Sequence, residues 1–122
     1  MQYYTTVKEF KIDQFDIIVD WTYEDESIRG CFEETEEQYA EMERRLEAYI
    51  ATHYIARVRA MYDGVEMGCS ALGSCYAYDC SPEEDINNGI SGYLEDMIEE
   101  AVDEAQNEAV RMLDKLKEDF LQ

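Results

Sequence analysis

Carboxylates dominate the side chains in this chain that could do chemistry. Thirty Asp and Glu face ten Lys and Arg, for a formal charge of −20 over 122 residues. A carboxylate can act as general acid or base, metal ligand or docking charge, and its surroundings decide which. His53 is the single histidine, and its place after a helical run reads as a partner for the helix C-terminus. Cys31, Cys69, Cys75 and Cys80 lack a CxxC knuckle, so their spacing matches no zinc pattern and free thiols are expected. Asp79-Cys80-Ser81-Pro82-Glu83 lacks the alternating oxygen ligands and central glycine of a calcium loop. The chain also holds no Gly-rich phosphate loop, HExxH or GxSxG. The expectation is a protein that is not an enzyme, with no catalytic residues, no metal and no cofactor.

The acids are unevenly placed. Residues 48–78 are neutral, whereas residues 22–47 carry −7 and residues 79–122 carry −11. No Lys or Arg occurs from Ala60 through Val110, a span holding thirteen acids. The densest piece is Glu95, Asp96, Glu99, Glu100, Asp103 and Glu104. On a helix these form i,i+4 like-charge pairs, each mildly destabilising. Nine helical steps span about 13.5 Å, a length in which duplex DNA places about eight charges. A second set, Glu24, Asp25, Glu26, Glu33 and Glu34, lies in a loop. These eleven residues are the candidate partner-binding set.

The bulk numbers bound the setting. The length suits one domain, residues 1–122, able to bury roughly two thirds of its unfolded surface. A hydrophobic fraction of 46%, with ten Tyr and four Phe, excludes a disordered chain. Small domains need a net charge of only about 2–8 to stay dispersed, and the excess costs stability by self-repulsion. Such charge disfavours direct binding to nucleic acid or to an anionic membrane. No apolar run reaches the ~20 residues of a membrane span, and no secretory segment leads the chain. A cytoplasmic protein with reduced thiols is expected.

The elements that must position the acids follow from periodicity. Phe15, Ile17, Val19 and Trp21 alternate with Asp16, Ile18 and Asp20, a strand with one wet face. An earlier strand is expected around 3–10. Thr35 and Gln38 form a capping box, and Tyr39, Met42, Leu46, Tyr49, Ile50 and His53 recur at helical spacing, predicting a helix over 36–52. Asp63-Gly64 is a type I′ hairpin signal. It would set Tyr62 opposite Val65, Ala60 opposite Met67, Val58 opposite Cys69 and Ala56 opposite Ala71 on a core face. Arg57 and Arg59 fall on the other face beside Glu66, Gly68 and Ser70, balancing charge within the sheet. Ser81-Pro82-Glu83-Glu84 starts a short helix that Gly89 and Gly92 end. A long helix over 93–119 places Leu94, Met97, Ile98, Ala101, Ala105, Ala109, Leu113, Leu116 and Phe120 on one packing stripe. The order predicts an α+β fold, with a small antiparallel sheet and helices packed on one face.

Three segments carry a resemblance. Tyr23-Glu24-Asp25-Glu26-Ser27-Ile28-Arg29-Gly30, Gly68-Cys69-Ser70-Ala71-Leu72-Gly73-Ser74-Cys75-Tyr76 and Tyr93-Leu94-Glu95-Asp96-Met97-Ile98-Glu99-Glu100-Ala101 resemble elements of a group of small acidic phage and plasmid proteins. Their patterns are PEDxxxRG, GxxxLGGCSY and YYxDMxxEA. The proline before Glu24 is absent here, and Ser74 replaces the second glycine of LGGC. The resemblance implies an origin in a mobile element and supplies no activity and no catalytic residue. Together with the charge, it leads to the expectation of an antidefence inhibitor. The partner would be a basic nucleic-acid-binding protein of the bacterial host, of a CRISPR or restriction system, met by mimicry of DNA or RNA. The alternative is an accessory binding module that uses no mimicry. The sequence leaves the oligomeric state open.

Overall fold

The period-2 runs and the Asp63-Gly64 turn resolve into a four-stranded antiparallel sheet of order β1-β2-β3-β4. The structure is a computed structural model and describes residues 3–121. Its elements are β1 (Thr5–Ile12), β2 (Phe15–Tyr23), α1 (Glu36–Glu47), β3 (Ala51–Tyr62), β4 (Val65–Tyr78), α2 (Pro82–Asn87) and α3 (Tyr93–Phe120). The fold is α+β. The first hairpin strand expected around 3–10 is β1, shifted two residues along the chain.

Both turn residues of the β3–β4 hairpin, Asp63 and Gly64, have positive φ, as a type I′ turn requires. Tyr62 pairs with Val65 as expected, but a bulge follows. Met61 faces Glu66 and Ala60 faces Gly68, so Val58 pairs with Ser70 and Ala56 with Leu72. Met67 is the extra residue, and it inverts the facing of the residues up to Leu72, beyond which a second shift at Gly73-Ser74 returns Cys75 and Ala77 to the core. Gly68, Ser70 and Leu72 therefore take the core face expected of Met67, Cys69 and Ala71, although Met67 is itself buried. Tyr62 and Val65, at the hairpin tip, are exposed and not in the core.

The main core lies between one sheet face and α2 and α3. Ile17, Val19 and Trp21 of β2 and Tyr54, Ala56, Val58 and Ala60 of β3 meet Ile86, Ile90, Leu94, Met97, Ala101 and Ala105. Gly68 permits this packing. A Cβ there would collide with the Ala101 carbonyl and stand 2.8 Å from the Ala105 nitrogen, so α3 rests directly on the β4 backbone. Two polar bonds pin α2. Trp21 Nε1 donates to Glu83 Oε1 at 2.9 Å, and Tyr54 Oη donates to Asp85 Oδ2 at 2.6 Å.

α1 departs from the one-face arrangement. It is capped by the Thr35–Gln38 box as expected but ends at Glu47, with Ala48 as C-cap. Tyr49 takes a positive φ, and Ala51–His53 join β3. Pairing with β4 continues to Ala51–Tyr78, and that ladder wins over the helical periodicity. His53 is accordingly on β3, not at a helix end. In the uninterrupted β2–β3 register, His53 and Ala51 face away from Tyr54 and the main core. Arg45 of α1 lies over the Tyr78 ring at 3.9 Å. With buried Ile28 and Tyr39, α1 and the 24–34 loop close this end of the second face.

The wet face expected of β2 is also corrected at one point. Asp20 is 1% exposed and accepts from Arg57 Nε at 2.9 Å, Arg57 Nη2 at 2.7 Å and Arg59 Nη2 at 3.2 Å. The two arginines do balance charge within the sheet, on an acid sunk beneath them. Gly68 and Ser70 are not beside them, because the bulge turns both to the core.

Candidate acidic partner-binding surface

Six carboxylates of α3 are positioned by the apolar side that the sheet buries. Leu94, Met97, Ala101, Val102 and Ala105 are buried, while Glu95, Asp96, Glu99, Glu100, Asp103 and Glu104 are exposed. At about 100° per residue, Asp96 and Asp103 point straight outward. Glu100 and Glu104 lie toward the β4 edge, where the Ser70 hydroxyl donates to Glu100 Oε2 at 3.3 Å. Glu95 and Glu99 lie on the opposite flank. The acids thus wrap about half the helix circumference and do not form a single file.

The loop set is split. Glu24 turns into the fold, its Oε2 accepting from the Ser74 backbone N–H at 3.4 Å and its Oε1 from the Glu26 N–H at 3.3 Å. Glu24 therefore braces the loop on an irregularity of β4, where the pairing with β3 shifts and Ser74 has positive φ. Asp25, Glu26, Glu33 and Glu34 are exposed. The loop is held by buried Ile28, by Arg29 bridging Glu36 and Glu43, and by Tyr39, whose hydroxyl bonds the Phe32 backbone. A groove of about 480 Å³ runs from the loop acid Glu34 to the start of α3, and none of the six α3 acids lines it. Glu34 and Phe32 line it from the loop, Tyr93 from the start of α3, and Leu72 from β4.

The bases are spent elsewhere. Of ten Lys and Arg, Lys11, Arg29, Arg44, Arg45, Arg57, Arg59, Arg111 and Lys115 form ion pairs with Asp16, Asp20, Glu36, Glu41, Glu43, Glu108 and Asp119. Among the described residues none of the six α3 acids takes part, nor do Asp25, Glu26, Glu33 or Glu34. The surface keeps its charge.

The remaining chemistry-bearing groups are packed or capped. His53 is buried, its Nε2 has no partner among the described residues, and burial pushes it below the usual imidazole range, against the opposing pull of Glu24 and Glu26. It is therefore neutral at pH 7 and lines a cleft of about 580 Å³ with Glu26, Glu43 and Glu47. The four cysteines are free, and burial pushes the Cys75 thiol up to about 11. Among the described residues, no three His, Cys, Asp or Glu side chains converge as a metal site. No helix among them is long and apolar enough to cross a membrane.

Sequence reasoning missed Asp20, Gly68 and the groove. Arg57 and Arg59 alternating with buried Val58, opposite a strand containing Asp20, is the signal that could have found the first. No family model matches the chain, and no curated protein or solved structure matches it.

Proposed function

We propose that this protein is an inhibitor from a phage or another mobile element that acts in the bacterial cytoplasm without catalysing a reaction. It binds the basic nucleic-acid-binding surface of a host defence protein of a CRISPR or restriction system. The exposed carboxylates of α3, with Asp25, Glu26, Glu33 and Glu34, stand in for phosphates. The observation that carries this reading is the sorting of charge. Eight bases are tied to other acids, while these ten carboxylates form no ion pair among the described residues. Leaving like charges unneutralised costs stability, and a basic groove recovers that cost on binding.

The test is charge reversal with a matched control. Glu99→Lys/Glu100→Lys/Asp103→Lys reverses three exposed acids, one from each part of the acidic arc, and leaves the apolar core side chains in place. Glu9→Lys/Glu37→Lys/Glu66→Lys changes net charge equally at scattered exposed positions. Against purified CRISPR effectors and restriction enzymes, the first variant is expected to lose binding and competition with DNA or RNA. The control should keep most of both, and wild-type affinity should fall steeply with salt. Unchanged binding by the folded first variant removes α3 as the contact.

The groove supports a second reading, an accessory binding module. Phe32 and Tyr93, both partly exposed, offer aromatic contact in a groove that Glu34 and Asp85 also line. Salt-insensitive binding to a partner that does not bind nucleic acid, lost on Phe32→Ala/Tyr93→Ala, would select it.

A further inference from the structure

The distal half of α3 has no work to do in the fold described above. The buried side chains of the helix end at Ala105, leaving residues 106–120, about 22 Å of helix, reaching past the sheet. From Ala109 onward the stripe expected to pack on the sheet lies beyond it. Leu113 is 52% exposed, Leu116 51% and Phe120 75%, with Val110 and Met112 also exposed beside them. Ala109, Leu113, Leu116 and Phe120 are spaced four, three and four apart, the spacing of a coiled-coil seam.

We infer that this stripe is where a second copy of the chain docks, as an antiparallel helix pair. Charge selects that occupant. Residues 93–105 carry six acids and no base, whereas residues 106–121 carry four acids and three bases. Two copies at −20 each repel across most of their surfaces. The tail is where exposed apolar side chains coincide with acids and bases of nearly equal number, so a like copy meets opposite charges as often as like ones. A basic target of the kind proposed above would be drawn to residues 95–104 and not to a near-neutral apolar stripe.

One register satisfies both volume and charge. With Leu113 opposite Leu116 of the second copy, Ala109 falls opposite Phe120, a small residue against a large one at each end of the seam. The two-fold axis then passes between Asp114 and Lys115, and the contact is closed, since the same patch serves both copies. Measured along the helices, the Ala105 positions where the folded bodies begin stand about 28 Å apart. That exceeds three Debye lengths at physiological salt, about 8 Å each, so the acidic bodies do not confront one another.

Sedimentation equilibrium at physiological salt tests this independently of any target. The wild-type mass is expected to rise from 14.3 kDa toward twice that value as concentration rises to about 0.5 mM, the dimer gaining population as a dissociation constant in the micromolar range requires. Leu113→Glu/Leu116→Glu should hold the mass at 14.3 kDa with the near-ultraviolet spectrum of the sheet unchanged, because both positions lie outside the core. Leu113→Met/Leu116→Met should keep the dimer. A wild type that stays monomeric at about 0.5 mM, weaker than any millimolar contact worth assigning, overturns the inference and leaves the stripe to a different partner. A dimer that survives the double Glu variant overturns it as well.

Discussion

Replacing Asp20 by alanine tests the placement of charge inside the sheet. Asp20 is 1% exposed and accepts three hydrogen bonds from Arg57 and Arg59. Their side chains are 22% and 24% exposed, so water reaches them only in part. Arg57 also lies against the Tyr4 ring at 3.5 Å, which holds it in place after the acid is gone. Removing one partner of a buried pair costs about 3–5 kcal/mol, and the partial exposure of both arginines puts this case near 3. A chain of 122 residues has an unfolding entropy of about 0.26 kcal/mol/K, so the melting temperature should fall by roughly 12 °C. Relief of overall repulsion, from −20 to −19, works in the opposite direction and is small. Calorimetry and urea unfolding measure the change. An apolar replacement, Asp20→Leu with Arg57→Met and Arg59→Met, should recover most of the loss, because no unpaired charge remains. A loss below about 1 kcal/mol for Asp20→Ala, about 4 °C, would refute the assignment. A triple variant as unstable as the single would trace the cost to packing.

Further outcomes follow from the same geometry. Gly68→Ala should lose at least the usual overpacking cost of about 1–3 kcal/mol, and amide exchange over 94–105 should quicken; unchanged exchange would mean that α3 does not rest on the β4 backbone. Burial raises Cys75 from its ordinary 9.0 to about 11, and burial together with the bond to Asp85 raises Tyr54 above its usual range. The folded chain then holds protons that the unfolded chain releases, so stability is full below pH 9 and falls as pH rises toward 11; a urea midpoint that is flat over that window would contradict both shifts. Denatured protein should react with four equivalents of a thiol reagent, and Cys75 should be the slowest to react in the folded state. Raising ionic strength from about 0.01 to 0.15 M, which shortens the Debye length from about 30 to 8 Å, should raise the melting temperature; a flat curve would mean that the acids are compensated locally.

Features settled within a few neighbouring residues were legible in the sequence. The Thr35–Gln38 box, the Ser81-Pro82 start and the Asp63-Gly64 turn each satisfy or direct their own backbone, so no distant partner is needed. The strand over 15–21, the run of α3 and the exposure of its six acids follow from periods of 2 and 3.6 in the same way. The two acidic segments could be named from composition alone. That they stay unneutralised could not, since it depends on where Arg29, Arg57 and Arg111 find their partners in space.

Tertiary contact decided the rest. The bulge at Met67 follows from pairing and from the seat of α3 on Gly68, and neither leaves a mark on local propensity. The expected helix past Glu47 yielded because Ala51–His53 complete a ladder with residues 76–78. Asp20 read as a wet residue, since alternation shows which way a side chain points but not whether two arginines will cover it. The apolar period of α3 continues to Phe120, yet the sheet ends beneath Ala105. Periodicity predicts a face, and only the extent of what lies against that face determines whether it is core or surface.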